Sequence, residues 1–290
     1  MRPATALSVL LLTVVITSCG SETTAPAGGA TGPDQLLSTR YPVTVLDDGD
    51  GAELCLGGGN DSWPPQCGGP KLIGWSWAEH EGEYEEARGV RWGDFLVTGT
   101  LDGEEFTVET ATIDRRDQPQ SSPDIPLPST PCPEPPGGWR VLDASKTTQQ
   151  SLETAHTQAL QLPGYAGAWL DQSINPALHE PDPPETAWND PTKLVLNVQV
   201  VGDPGAAEKS LRRWWGGALC VSEAVRTERE LLRIQERVQD LPDVFSSGVS
   251  TEENRLTVRV AHDDGTLQEQ LDEEYGQGVV VVESLLRPAS

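Results

Sequence analysis

The chain has 290 residues, with 20 Lys plus Arg against 45 Asp plus Glu, a formal charge of −25 and a pI near 4.3. Such a surface has few cations to displace the counterions of DNA or RNA, and it is repelled by anionic lipid headgroups, so both are excluded as electrostatic partners. The length allows two or three small domains, and the acidity suits a protein that must stay soluble outside a cell.

At the N-terminus, Arg2 supplies a positive charge, Ala6 to Val15 is uncharged and mostly apolar, and Ile16-Thr17-Ser18-Cys19 closes the run. A hydrocarbon core of about 30 Å needs roughly 20 apolar residues, so the run reads as a signal peptide over 1–18 rather than a span. Ile16-Thr17-Ser18-Cys19 resembles the bacterial lipobox. The resemblance implies that the Cys19 thiol is acylated, that cleavage precedes it, and that the mature protein is lipid-anchored on the extracytoplasmic side of the cell membrane. Two or three acyl chains hold stably, since each buried CH₂ contributes about 0.8 kcal/mol. The stretch to Arg40 is rich in Ser, Thr, Gly, Ala and Pro and predicts a flexible tether over 19–40.

Four further cysteines, Cys55, Cys67, Cys132 and Cys220, are an even number in an exported chain and predict two disulfides. Three pairings are open. The favoured one closes a short Gly/Pro loop with Cys55–Cys67 and leaves Cys132–Cys220. A zinc site is disfavoured by the lack of a C-x-x-C pair or a nearby His.

From residue 41 to 115 the pattern alternates with period two between turn signals, which predicts a small antiparallel β domain. Val43 to Leu46, Glu53 to Leu56 and Leu72 to Trp75 are strand candidates, and Asp94 to Thr100 returns through Phe106 to Thr110 by a turn at Asp102-Gly103. Ser62 to Pro70, followed by Gly74-Trp75-Ser76-Trp77, is a rigid loop among three tryptophans. Trp63, Trp75 and Trp77 are candidates for an aromatic surface that takes sugars or an extended peptide, or else for core filling. The segment resembles a stretch of exported proteins of high-GC Gram-positive bacteria, a resemblance that implies no activity. Asp47-Asp48-Gly49-Asp50-Gly51 holds only the opening of a calcium loop and reads as an acidic turn. Eight prolines between Pro119 and Gly138 then predict an extended linker over 116–138.

The C-terminal half, 139–290, repeats itself. Asn197 to Asp203 matches Thr257 to Asp263 at an offset of 60, and Gly205, Leu211, Gly216, Val221 and Glu223 have partners at the same offset. The preceding segments match at an offset near 80, with helices predicted from Thr147 to Leu160 and from Thr227 to Asp240. Trp139 to Asp143 opens the first copy as a strand, and Ala218 to Ser222 closes it and opens the second. The expected class is α+β: a small antiparallel β domain, then a duplicated ferredoxin-like βαββαβ region. Pro176 to Pro191 is an excursion between two strands.

Gly164 to Asp171, Leu194 to Val200, Gly217 to Val221, Asn254 to Val260 and Tyr275 to Val282 resemble the pro-region of α-lytic-protease and streptogrisin-type secreted proteases. The resemblance covers about Trp139 to Leu286 and implies that fold, with inhibition or folding help toward secreted serine proteases as an expected role. The Gly-Asp-Ser-Gly-Gly stretch of the protease itself does not occur here.

No catalytic residue, metal ligand set or cofactor motif is assigned. His80, His156, His179 and His262 are the four histidines, none at metal spacing, and no G-x-S-x-G, H-E-x-x-H or P-loop pattern occurs. Glu79, Glu81, Glu83, Glu85 and Glu86 are dense enough for a carboxylate pair, though such a run is ordinarily a solvated face. The expectation is a non-enzymatic, membrane-anchored binding protein for a protein or glycan of the cell envelope. Protease modulation and a carboxylate-based hydrolase are the alternatives.

Overall fold

Where apolar residues alternate, strands form. A computed structural model describes residues 35–57, 62–113, 128–180, 183–184, 187–188 and 190–289. Residues 1–18, expected as a signal peptide, Cys19 and much of the proline-rich stretch therefore lie outside the described residues. Strands β1 (Leu36–Thr39), β2 (Val43–Asp47), β3 (Glu53–Leu54), β4 (Lys71–Ile73), β5 (Glu85–Ala87), β6 (Val90–Asp102) and β7 (Glu105–Thr112) build one sheet. Its inner face carries Val45, Leu54, Phe95, Val97 and Phe106, all fully buried. Most pairings are antiparallel, but β4 runs parallel to β7 through Leu72 and Phe106, which departs from the purely antiparallel domain expected.

Two α+β units follow with one element order. The first comprises α1 (Gln149–Ala159), β8 (Tyr165–Asp171), β9 (Val195–Val200), α2 (Pro204–Leu211) and β10 (Ala218–Glu223). The second comprises α3 (Glu228–Val238), β11 (Val244–Ser250), β12 (Arg255–Val260), α4 (Thr266–Tyr275) and β13 (Val280–Ser284). Each sheet has three strands with the middle one antiparallel to its first neighbour and parallel to its last. Their helices start alike: Thr148 and Thr227 each accept from the third residue's N–H while that residue's side chain answers the cap's N–H, a reciprocal capping box. A positive φ precedes the first strand in both, at Gly164 (75°) and Asp243 (66°). A bulge follows in both, between Tyr165 and Gly167 and between Val244 and Ser246.

A last strand, β14 (Leu286–Pro288), returns to the N-terminal sheet and pairs with β1, Leu37 opposite Pro288 and Thr39 opposite Leu286. Ala261 and the fully buried Leu286 join the β core, and Phe245 and Leu285 pack against it. Both ends of the described chain are thus tied into one sheet, and the second unit shares a core with it. No helix among the described residues is long and apolar enough to cross a membrane.

Several boundaries differ from expectation. The tether was expected to reach residue 40, yet Leu36–Thr39 is a strand, held because Leu37 is buried and both edges of β1 are paired. Trp139 to Asp143 forms no strand; Leu142 is exposed, and the Leu142 and Asp143 N–H groups both donate to the Gly216 carbonyl. Ala218–Glu223 pairs with β9 alone, so it cannot open the second copy. Each unit is therefore αββαβ, without the first strand of a ferredoxin-like arrangement. The end of the linker, from Pro128, is no spacer: Cys132 and Trp139 pack on Val195, Ala218 and Cys220.

Candidate ligand surface around Trp63

The loop that carries Trp63 is fixed from below. Cys55 and Cys67 are bonded across 12 residues. Gly69 lies so close to the Leu54 carbonyl that any Cβ there would collide with it. A second bond joins Cys132 to Cys220 across 88 residues. Two disulfides point to an extracytoplasmic compartment, where thiols oxidise and stay oxidised.

The three tryptophans do not share one surface. Trp77 is buried and donates its Nε1–H to Asp47 Oδ2 at 2.9 Å. Trp75 lies half-buried against it at 5.2 Å, stacks on His80 at 4.6 Å and meets Phe95 edge-on at 4.9 Å. Tyr84 extends the cluster at 4.8 Å from Trp77. These rings pack into the β core beside Phe95.

Trp63 stands apart and is 65% exposed. Its neighbours come from β6 and the β5–β6 turn: Trp92 at 6.2 Å with planes 85° apart, and the Arg88 guanidinium 6.0 Å from the ring centroid. Arg88 and Gly89 link the paired residues Ala87 and Val90, with φ values of 54° and 84°. Two successive positive φ values make a tight hairpin turn, which sets Arg88 over Trp63. Trp92 lies opposite Glu85 on one side and Leu46 on the other. Paired residues of antiparallel strands share a face, so an acidic group adjoins the aromatic one. Asp94, two residues on, accepts from Thr44 Oγ1 at 2.7 Å. On the opposite face of β6, Arg91 donates to Glu86 Oε2 at 3.0 Å, a bond that raises the guanidinium's pKa.

The result is an exposed indole with a second indole at its edge, one guanidinium above, and the carboxylates of Glu85 and Asp94 on the sheet face that carries Trp92. It can stack on the C–H face of a sugar ring while these carboxylates bond hydroxyl groups. Sequence reading missed Trp92 and Arg88. Trp92 falls at the opposite parity to Phe95 and Val97 on β6, and Arg88-Gly89 is a two-residue turn; those were the available signals.

The acidic run is divided between a short helical turn and a strand. Glu79 lies in a short helical turn, Glu83 accepts from His80 Nδ1 at 3.1 Å when that nitrogen is protonated, and Glu85 and Glu86 lie on β5. Among the described residues no group of three or more His, Cys, Asp or Glu is placed to hold a metal ion. His262 sits where the second unit meets the β sheet, with Nδ1 3.2 Å from the Leu286 carbonyl. A larger groove of about 710 Å³ lies behind the disulfide loop, between Cys67–Lys71 and Asp243–Phe245. Neither the models of known protein families nor the curated proteins contain a match to this chain.

Proposed function

We propose that this chain is a lipid-anchored extracytoplasmic binding protein that contacts a glycan of the cell envelope through Trp63, Trp92 and the carboxylates on the face of Trp92. One observation carries the reading: a large indole is left 65% exposed on a segment tied to the sheet by the Cys55–Cys67 disulfide and by the close approach of Gly69 to Leu54. Rigid aromatic rings lose little entropy on binding, and single exposed indoles backed by a second ring are a good platform for a sugar face. The anchor rests on the lipobox resemblance at Cys19. A fatty-acid analogue fed to an expressing cell should label the chain, and Cys19→Ala should abolish the label and release the protein.

The two αββαβ units are read here as copies of one ancestral unit related to the ferredoxin-like arrangement. Matching caps, matching positive φ residues and matching bulges support this. In this reading the duplicated half is scaffold and the N-terminal sheet presents the platform.

The test is sedimentation of the full-length chain, in detergent, with purified cell-wall polysaccharide. Wild type should pellet with the wall, and Trp63→Ala should weaken that at least tenfold. Trp214→Ala, at another exposed indole (42%), should change nothing. Equal loss in both variants, or none in either, defeats the assignment.

A further inference from the structure

The two units differ in how the first helix meets the edge strand. In the second, Gln235 on α3 donates through Nε2 to the Ser247 carbonyl at 3.0 Å and to Ser247 Oγ at 3.3 Å. That bond latches the helix to the edge strand β11. Counting from the capping threonines and from the first strands, the corresponding residues of the first unit are His156 on α1 and Ala168 on β8. His156 and Ala168 make no such bond; instead they line an open slot of about 280 Å³.

The slot has the form of a peptide-binding groove. Its walls and floor are Leu152, Ala168, Leu170 and Leu196, with Leu152 and Leu196 almost fully buried. Glu153 and His156 form the helix side of its rim. Strand β8 is the terminal strand of its sheet, paired only with β9 from Ala168 to Asp171. Its other edge therefore offers backbone N–H and C=O groups beside an apolar slot, the arrangement that takes up an extended segment as an added strand. The charge complements a cationic partner: the Glu153 carboxylate lines the rim, its Oε1 accepting from Gln149 Nε2 at 3.2 Å and its Oε2 free, among the described residues, to meet a Lys or Arg.

We infer that the groove between α1 and β8 binds an extended peptide segment that adds to β8, seats one aliphatic side chain between Leu152 and Leu170, and carries a Lys or Arg toward Glu153. The site is distinct from the Trp63 platform, so either can fail without the other.

The experiment selects a phage-displayed random heptapeptide library on the full-length chain and measures enriched peptides by fluorescence anisotropy. Enrichment of alternating aliphatic sequences with a basic residue is expected. His156→Gln with Ala168→Ser, which copies the latch of the second unit, should weaken binding at least tenfold with no change in thermal midpoint. Glu153→Lys should weaken the same peptides about fivefold and relieve their salt dependence. Gln235→His with Ser247→Ala, the reverse exchange, should leave them unaffected. Failure to enrich, or binding insensitive to the copied latch, overturns the assignment. Concentration-dependent dimerisation that the copied latch abolishes also overturns it, by giving the edge to a second copy of the chain.

Discussion

In the first unit all six residues of β9 are buried. In the second, β12 alternates: Leu256, Val258 and Val260 are buried under helices, while Arg255, Thr257 and Arg259 face outward. The helix-side layers are alike. The other side differs because the described end of the linker lies on the first sheet, where Thr130 donates to Asp171 Oδ2 at 2.6 Å, Asn197 Nδ2 to Thr130 Oγ1 at 3.2 Å, and Trp169 Nε1 to the Ser129 carbonyl at 2.9 Å. The turn of the second unit adds to that cover, since Gln199 Nε2 donates to the Glu252 carbonyl at 3.2 Å. On the second sheet the same face is solvated, and Arg259 pairs with Glu283 at 3.1 Å in the open. One local pattern thus serves as an enclosed layer in one place and as a surface in another, and only tertiary cover separates them.

The largest effect expected concerns that cover. Replacing Cys132 and Cys220 by Ser opens a loop of 88 residues and should cost about 4–5 kcal/mol in urea unfolding, on a loop-entropy account. The Cys55–Cys67 bond, spanning 12, should cost less, about 3 kcal/mol. If the first loss is the smaller, the linker is not held mainly by its disulfide.

Next come the polar contacts. Asp171 is 4% exposed and accepts from Thr130 and from the Ser173 N–H. Asp171→Ala should cost about 1–3 kcal/mol by stranding those donors, whereas Arg259→Ala on the bare sheet should cost under about 1 kcal/mol. Equal values would remove the distinction between covered and open faces.

The helix caps should not distinguish the units. Thr148→Ala and Thr227→Ala should each cost about 1 kcal/mol, read from thermal or denaturant midpoints; a large inequality would mean that the two capping boxes do different work.

The smallest effect is a pH dependence at Tyr165, the first residue of β8. Burial, and then the Glu228 charge, push the Tyr165 phenol up to about 12 from 10. The unfolded chain ionises first, so its stabilising share is complete below pH 10 and is lost as pH rises toward 12. A Tyr165→Phe variant should lose stability less steeply than wild type across that window, and parallel curves would place the ionisation elsewhere.

Much of this was legible in the chain because it is local. Alternation marked the strands, the helices expected over Thr147 to Leu160 and Thr227 to Asp240 coincide with α1 and α3, and short separation favoured Cys55–Cys67. What was not legible depends on cover. Asn197 and Gln199 are the polar residues of β9 and yet are buried, since nothing in β9 reports that Thr130 and Glu252 will lie on it. Trp139 to Asp143 has strand-forming residues, but Gly216 captures its N–H groups. Trp63, Trp75 and Trp77 are close in sequence, and a turn separates them into one exposed ring and two core rings.

The most direct measurement is the titration of cell-wall polysaccharide into the full-length chain with tryptophan fluorescence as the readout. Saturable quenching that Trp63→Ala abolishes, and that Trp214→Ala leaves intact, is the predicted result. Quenching unchanged by Trp63→Ala, or none at all, would contradict the assignment of the exposed indole as the ligand contact.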